Sequence, residues 1–185
     1  DDIALHNADI LANTWTKGHV PPNAPESLGS LQYFQIRSEL LYEQTLLLCK
    51  KHQIVIHHDY VDSIQRVGDH LQITTPTQTH HSIKVFDSRS TVATIEEGTL
   101  LQSFTGLFIE LMEGSFSEDT ITLMDFDMPQ DGATQFMYVL PDDSQRALVE
   151  CTRFGIEKLD DTVAREYLDH YIKRHWGAYN IVDEE

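Results

Sequence analysis

The sequence predicts an α+β fold, a mixed or antiparallel sheet with flanking helices. Three observations carry that prediction. Four short segments between residues 99 and 154 are rich in β-branched and aromatic residues and are separated by Gly, Pro, Asp and Ser clusters. Two other stretches repeat apolar residues at helical spacing. No G-x-G-x-x-G or G-x-x-x-x-G-K-[ST] string opens a strand–helix unit, and the glycines are scattered, so no phosphate-cradling loop is expected within these residues.

Residues 1–30 hold Gly18, Pro21-Pro22, Pro25 and Gly29 and read as an irregular arm, with a short helix over 2–12 as its one regular piece. Ser38 is a suitable N-cap and Glu39 suits a first turn, so a helix is expected over 39–52, with Leu40, Leu41, Tyr42, Leu47 and Leu48 as its apolar face. The string IVIHH at 54–58 reads as a strand. DYVDSIQRV and HLQITTP flank Gly68-Asp69 and read as a hairpin. HSIKVFD, ending at Asp87, reads as a further strand. Residues 99–112, 119–127, 134–140 and 145–154 follow as four strands. The last helix, DDTVAREYLDHYIKRHW, opens at Asp160 or Asp161 and ends in basic residues, as the helix dipole favours. The expected division is therefore an arm (1–30), a helix with a small sheet (31–98), and a sheet with a C-terminal helix (99–185). The last two are expected to form one compact unit.

At 185 residues and 41% hydrophobic content the chain can bury a core. Thirty acidic residues against 13 basic ones give a net charge of −17. That balance argues against nucleic acid, because a row of phosphates needs cations to neutralise it. It also disfavours broad adhesion to an anionic membrane, leaving only a local peripheral contact with the inner membrane as an expectation. Cys49 and Cys151 lack C-x-x-C spacing, which points to a reduced, cytoplasmic setting and away from zinc. His57-His58 and His80-His81 are adjacent pairs whose side chains would diverge in strands, and His170 and His175 are five apart, so no metal is expected. Ser88 and Ser103 sit in no nucleophile-elbow pattern. The apolar runs fall short of the ~20 residues that a spanning helix needs. A chain starting at Asp1 rather than Met fits a fragment of a longer protein.

Three carboxylates stand isolated in apolar segments: Glu110 in GLFIEL, Asp125 in LMDFD and Glu150 in RALVECT. Aligned strands would aim them toward a common space. Burial penalises a carboxylate anion, so such a group keeps its proton at higher pH and becomes an acid able to protonate a hydrocarbon. The competing readings are structural: Glu150 as a strand residue paired with Arg146 or Arg153, Asp125 as a strand-end residue, and Phe104, Phe108, Phe136 and Tyr138 as core packing.

Phe86-Asp87-Ser88-Arg89, Gln102-Ser103-Phe104-Thr105-Gly106, Leu123-Met124-Asp125-Phe126, Tyr138-Val139-Leu140-Pro141 and Arg146-Ala147-Leu148-Val149-Glu150 follow one another in the order and spacing of flavin-dependent lycopene cyclases. The chain resembles the central part of such an enzyme. The resemblance implies the substrate-binding part of a two-dinucleotide-domain-type flavoprotein. The cofactor would be FAD, with NAD(P)H as its reductant, bound mainly by segments outside this sequence. The implied substrate is an apolar polyene. An acid protonates a terminal double bond of a linear carotenoid, the next double bond closes a ring, and reduced flavin stabilises the cation. Glu150 matches the first acid of the family's Leu-x-Glu-[Glu/Asp]-Thr motif, and Asp125 and Glu110 match two further acids. Phe104, Phe108, Phe136 and Tyr138 would line the substrate site, while Asp87 and Arg89 would lie near the cofactor, with an ordinary turn as the other reading of Asp87. Three departures stand out: Cys151 replaces a second acid, Asp127 an arginine, and Leu107 a tryptophan. The sequence stops at Asp183-Glu184-Glu185, about where the family's flavin-contacting Ile-Pro-Met stretch follows an acidic pair. The alternatives are a related FAD-dependent reductase or hydroxylase acting on another polyprenyl or aromatic compound, and a non-catalytic module that binds an apolar ligand.

Overall fold

Strands between residues 101 and 155 build the main sheet, buried on both faces over their central residues and alternating in burial nearer some of their ends. The computed structural model of the protein describes residues 10–89 and 98–185. Strands β8 (Leu101–Leu111), β9 (Thr120–Asp125), β10 (Thr134–Pro141) and β11 (Arg146–Gly155) are neighbours in the order β8-β11-β10-β9, all antiparallel. The fold is thus α+β, as expected, and each of the four predicted strands forms. The β10–β11 register pairs Glu150 with Tyr138, and the β11–β8 register pairs Glu150 with Gly106.

Helix α2 (Asp161–Trp176) covers one face of this sheet. Asp160 caps it, its Oδ1 accepting from the backbone N–H groups of Thr162 at 2.9 Å and Val163 at 3.3 Å. Gly177, at φ 85, ends it and donates its N–H to the Lys173 carbonyl. Ala164, Leu168, Tyr171 and Ile172 of the helix join Leu107, Ile109, Met137, Val139, Val149 and Cys151 of the sheet in one core cluster. Ridge-on-sheet burial of this kind, at roughly 25 cal/mol per Å² of apolar surface, fixes which strand face is inside.

The amino-terminal segment is more ordered than an irregular arm. Where the helix over 2–12 was expected, residues 2–9 lie outside the described residues, and Leu11–Trp15 is strand β1. It pairs with β4 (Tyr33–Ile36) as a two-stranded ribbon. Strand β2 (Lys17–His19) runs parallel to β9, and β3 (Glu26–Ser27) pairs with β2, extending the main sheet at that edge. Trp15 anchors the ribbon: it is fully buried and its indole N–H donates to the Pro141 carbonyl at 3.1 Å. Pro and Gly punctuate this segment, but strand pairing with residues more than a hundred positions away overrides that local signal. At the opposite edge, β12 (Tyr179–Glu184) pairs with β8, an element the sequence reading missed.

The described chain falls into two units: residues to Leu41 together with those from Glu96, and Tyr42–Ile95. The second holds most of helix α1 (Ser38–Lys51) and a three-stranded sheet of β5 (Ser63–Val67), β6 (His70–Thr74) and β7 (Thr79–Ser82). The β5–β6 hairpin turns at Gly68-Asp69 as expected, with Gly68 at φ 61. Two expected strands do not form. Residues 54–58 pair with no strand, and Val55 is 71% exposed; beyond Ser82 the predicted strand to Asp87 stops, leaving Phe86 90% exposed. β-propensity reports a fit to a half-buried pleated surface, and neither segment has one here.

Candidate active site

Strand parity divides the functional candidates between two faces. Leu107, Ile109, Met137, Val149 and Cys151 point toward α2. Their neighbours Gly106, Phe108, Phe136, Tyr138, Leu148, Glu150 and Thr152 therefore point to the other side. The registers lay that second face out in rows across β8, β11 and β10. Phe104, Thr152 and Phe136 form one row, Gly106, Glu150 and Tyr138 the next, and Phe108, Leu148 and Leu140 a third. Phe136 meets Tyr138 edge-on at 5.2 Å and Phe126 at 5.4 Å between ring centroids. Phe104 remains 53% exposed, whereas Phe136 is buried by its aromatic neighbours.

Glu150 thus sits half-buried in the middle of an aromatic and aliphatic face. Burial raises its pKa above the ordinary glutamate range. The Thr152 hydroxyl, which donates to Glu150 Oε1, acts in the opposite direction, and the nearby Glu185 carboxylate adds to the rise. The reading of Glu150 as a residue paired with Arg146 or Arg153 fails on geometry. Arg146 holds Asp143, with Nε and Nη2 both on Asp143 Oδ2 at 2.9 and 2.8 Å, and Arg153 donates to Gln135 Oε1. What the arrangement offers is a half-buried carboxyl whose proton is held more firmly than an ordinary glutamate's, on a sheet face shared with aromatic rings that can favour a cation by about 0.5–2 kcal/mol per well-placed ring.

The three carboxylates do not share one space. A bulge lies between Thr122 and Asp125 of β9, with Met124 at φ 52, and turns Asp125 to the helix side. There Asp125 is buried; its Oδ2 accepts the Tyr171 hydroxyl proton at 2.7 Å and its Oδ1 accepts the Asp127 backbone N–H at 3.0 Å. The His175 ring packs at a tilt against Tyr171, 4.4 Å between centroids, and burial lowers its pKa. Asp125, Tyr171, His175 and His19 line a cavity of about 630 Å³ on this face. Glu110 does share Glu150's face, but it stands opposite Arg146, four positions along the strand and exposed. Four residues of strand span ~13 Å, too far for joint proton transfer. In the second unit, Arg89 grips both oxygens of Asp87 at 2.9 Å and donates to the Val61 carbonyl at 2.7 Å. That ion pair holds Asp87 down at about 2.

Register also changes the meaning of the three departures. Leu107 and Cys151 are buried on the helix side, away from the face that carries Glu150. Burial pushes the Cys151 thiol up to about 12. Asp127, which stands where a cation was expected, receives one from the helix, since Arg174 Nη2 reaches its Oδ2 at 2.7 Å. Sequence reasoning missed Tyr171, Arg174 and His175; their 3–4 spacing on α2 was the available signal. Among the described residues, no three His, Cys, Asp or Glu side chains converge on a metal site, and no helix is long and apolar enough to cross a membrane.

Comparisons with known proteins agree on the architecture. The family described as lycopene cyclase protein matches residues 3–185. No curated protein matches the chain. Among solved structures, the halogenase PltM superposes with a TM-score of 0.62 at 10% identity, over 100% of this chain and 45% of that one. PltM in complex with phloroglucinol and FAD gives 0.59 at 8% identity, over 98% and 45%. A geranylgeranyl bacteriochlorophyll reductase-like protein from Thermoplasma acidophilum gives 0.56 at 10% identity, over 96% and 50%. At these identities the likeness shows a shared fold and nothing more. The chain spans about half the length of these structures.

Proposed function

This chain belongs to the lycopene cyclase family, and from that premise we propose that it forms the substrate side of an enzyme in which Glu150 starts the ring closure of a linear, apolar polyene. The observation that supports this most is the placement of Glu150: a partly desolvated carboxyl without a cationic partner, on the sheet face that α2 leaves free and that also carries Phe104, Phe108, Phe136 and Tyr138.

The chemistry balances without a change of oxidation state. The Glu150 carboxyl gives its proton to a terminal double bond, leaving a tertiary carbocation. The electron pair of the neighbouring double bond attacks that cation and closes a six-membered ring. The new ring cation loses a proton from an adjacent carbon, and the Glu150 carboxylate can accept it, which restores the starting acid. Aromatic faces beside the site stabilise positive charge as it develops, and pre-placed groups of this kind need no reorganisation during reaction.

The residues present do not by themselves fit a flavin. Asp87 and Arg89 neutralise each other, and no glycine-rich turn at a helix N-terminus supplies N–H groups for phosphates. FAD in the whole protein would depend on segments outside this sequence, and no step above runs through it.

The test is coexpression of the full-length protein with a lycopene-producing pathway, followed by analysis of the carotenoids formed. Cyclic products support the proposal, and the flavin-loaded full-length protein acting on unlabelled lycopene in heavy water should place one solvent deuterium in each ring. Hydrogenated or hydroxylated linear products would replace it with a reductase or hydroxylase, and unchanged lycopene with bound apolar ligand would leave only a binding module.

A further inference from the structure

The strand after α2 delivers a second carboxylate to Glu150. β12 pairs with β8 through Tyr179↔Leu111, Asn180↔Glu110 and Ile181↔Ile109, then slips by one residue so that Asp183 meets Phe108 and Glu184 meets Leu107. This bulge at Val182 reverses the faces of everything that follows. Glu184 turns to the helix side, where both its oxygens hold Arg165. Glu185 turns to the aromatic side and exchanges both backbone hydrogen bonds with Gly106, at 3.0 and 3.1 Å. Gly106 is also the partner of Glu150 on β11. The two glutamates therefore flank one glycine in a single row across three strands. The glycine matters: a Cβ there would lie 2.8 Å from Glu185 Cγ, 3.0 Å from Leu148 Cδ1 and 3.2 Å from Glu185 Oε1. The Glu185 side chain fills the gap that Gly106 leaves beside Glu150.

We propose that Glu185 is a positioning residue for Glu150: its carboxylate, laid across Gly106, keeps negative charge beside the acid and so holds the Glu150 proton in place until an apolar substrate covers it. This rests on the reading of Glu150 as the proton donor. The groups facing Glu150 are Thr152 on its own strand, Tyr138 on β10 with Tyr33 of β4 near it, and Glu185 across Gly106, while Glu110 and Arg146 stand at the far end of β8 and β11. Of these neighbours, Thr152 favours the anion through its hydrogen bond and Glu185 opposes it by like charge.

The experiment compares the full-length, flavin-loaded protein with its Glu185→Gln, Gly106→Ala and Glu184→Gln variants, following cyclisation of lycopene against pH. Glu185→Gln should lose activity at lower pH than the wild type while keeping the same rate on the acid plateau. Gly106→Ala, which displaces the Glu185 side chain but keeps its charge, should move the profile the same way. Glu184→Gln removes an equal charge on the opposite face and should leave the profile in place. The Glu150 carboxyl resonance, followed in protein labelled with carbon-13 glutamate and assigned by its loss in Glu150→Gln, should titrate at lower pH in Glu185→Gln. Superimposed profiles, or an unmoved resonance, would overturn the proposal. If Glu150→Gln cyclises at the wild-type rate, the donor reading fails instead, and the resonance still reports whether Glu185 acts on Glu150.

Discussion

At the scale of the residue, the two carboxylates that the sequence marked most strongly do different work. Glu150 holds its proton to higher pH than an unfolded glutamate does, chiefly because burial disfavours the anion. The folded state therefore binds more protons than the unfolded chain between the ordinary glutamate pKa near 4.5 and the raised folded value. The stability linked to Glu150 is fully present below that ordinary value and is lost as pH rises through the folded one. Glutamine can still accept the Thr152 hydrogen bond but does not titrate. Glu150→Gln should thus gain in melting temperature relative to the wild type on going from acid to neutral pH, measured by thermal denaturation of the full-length protein at several pH values. A constant difference would mean that Glu150 titrates normally. Asp125 instead accepts the hydroxyl proton of the buried Tyr171. Asp125→Ala strands the buried Tyr171 hydroxyl and should destabilise by ~1–3 kcal/mol, whereas Asp125→Asn keeps an acceptor and should lose less. Chemical denaturation separates the two; equal losses would show that charge, not the hydrogen bond, matters at this site.

At the scale of the element, α2 and the four central strands were legible because their patterns are periodic and their ends carry recognisable caps. Asp160 and Gly177 punctuate the helix, and Leu168 and Ile172 repeat on its buried face. Leu168 is completely buried, so Leu168→Ala should cost ~2–5 kcal/mol and leave flavin binding intact once folded. A loss below ~1 kcal/mol, read from denaturant midpoints, would show that α2 is loosely seated. What the sequence could not disclose is where a ladder slips. The Met124 bulge moves Asp125 from the aromatic face to the helix face, and the Val182 bulge sends Glu185 to Glu150 and Glu184 to Arg165. One extra residue in a strand reverses every side chain beyond it, yet no residue type announces it. The expectation of one shared acidic space foundered on that point. β1, β4 and β12 escaped notice because short strands owe their existence to distant partners rather than to their own composition.

At the scale of the whole molecule, the sheet acts as a partition. One face carries Asp125 and Cys151 and is closed by α2, whose Tyr171 meets Asp125; the other carries Glu150 among aromatic side chains. Proton donation to a hydrocarbon calls for an acid of that second kind, partly desolvated and without a cationic partner, because a salt bridge would hold the anion. The central claim is that this one carboxyl supplies the proton, and the most direct measurement is product analysis of full-length Glu150→Gln in lycopene-accumulating cells, with protein level and flavin content followed in parallel. The amide keeps the shape and the Thr152 contact but has no acidic proton. Cyclic product should fall by ~10²–10⁴-fold at unchanged protein and flavin. Cyclisation by Glu150→Gln at the wild-type rate would contradict the account and make Glu150 a structural strand residue.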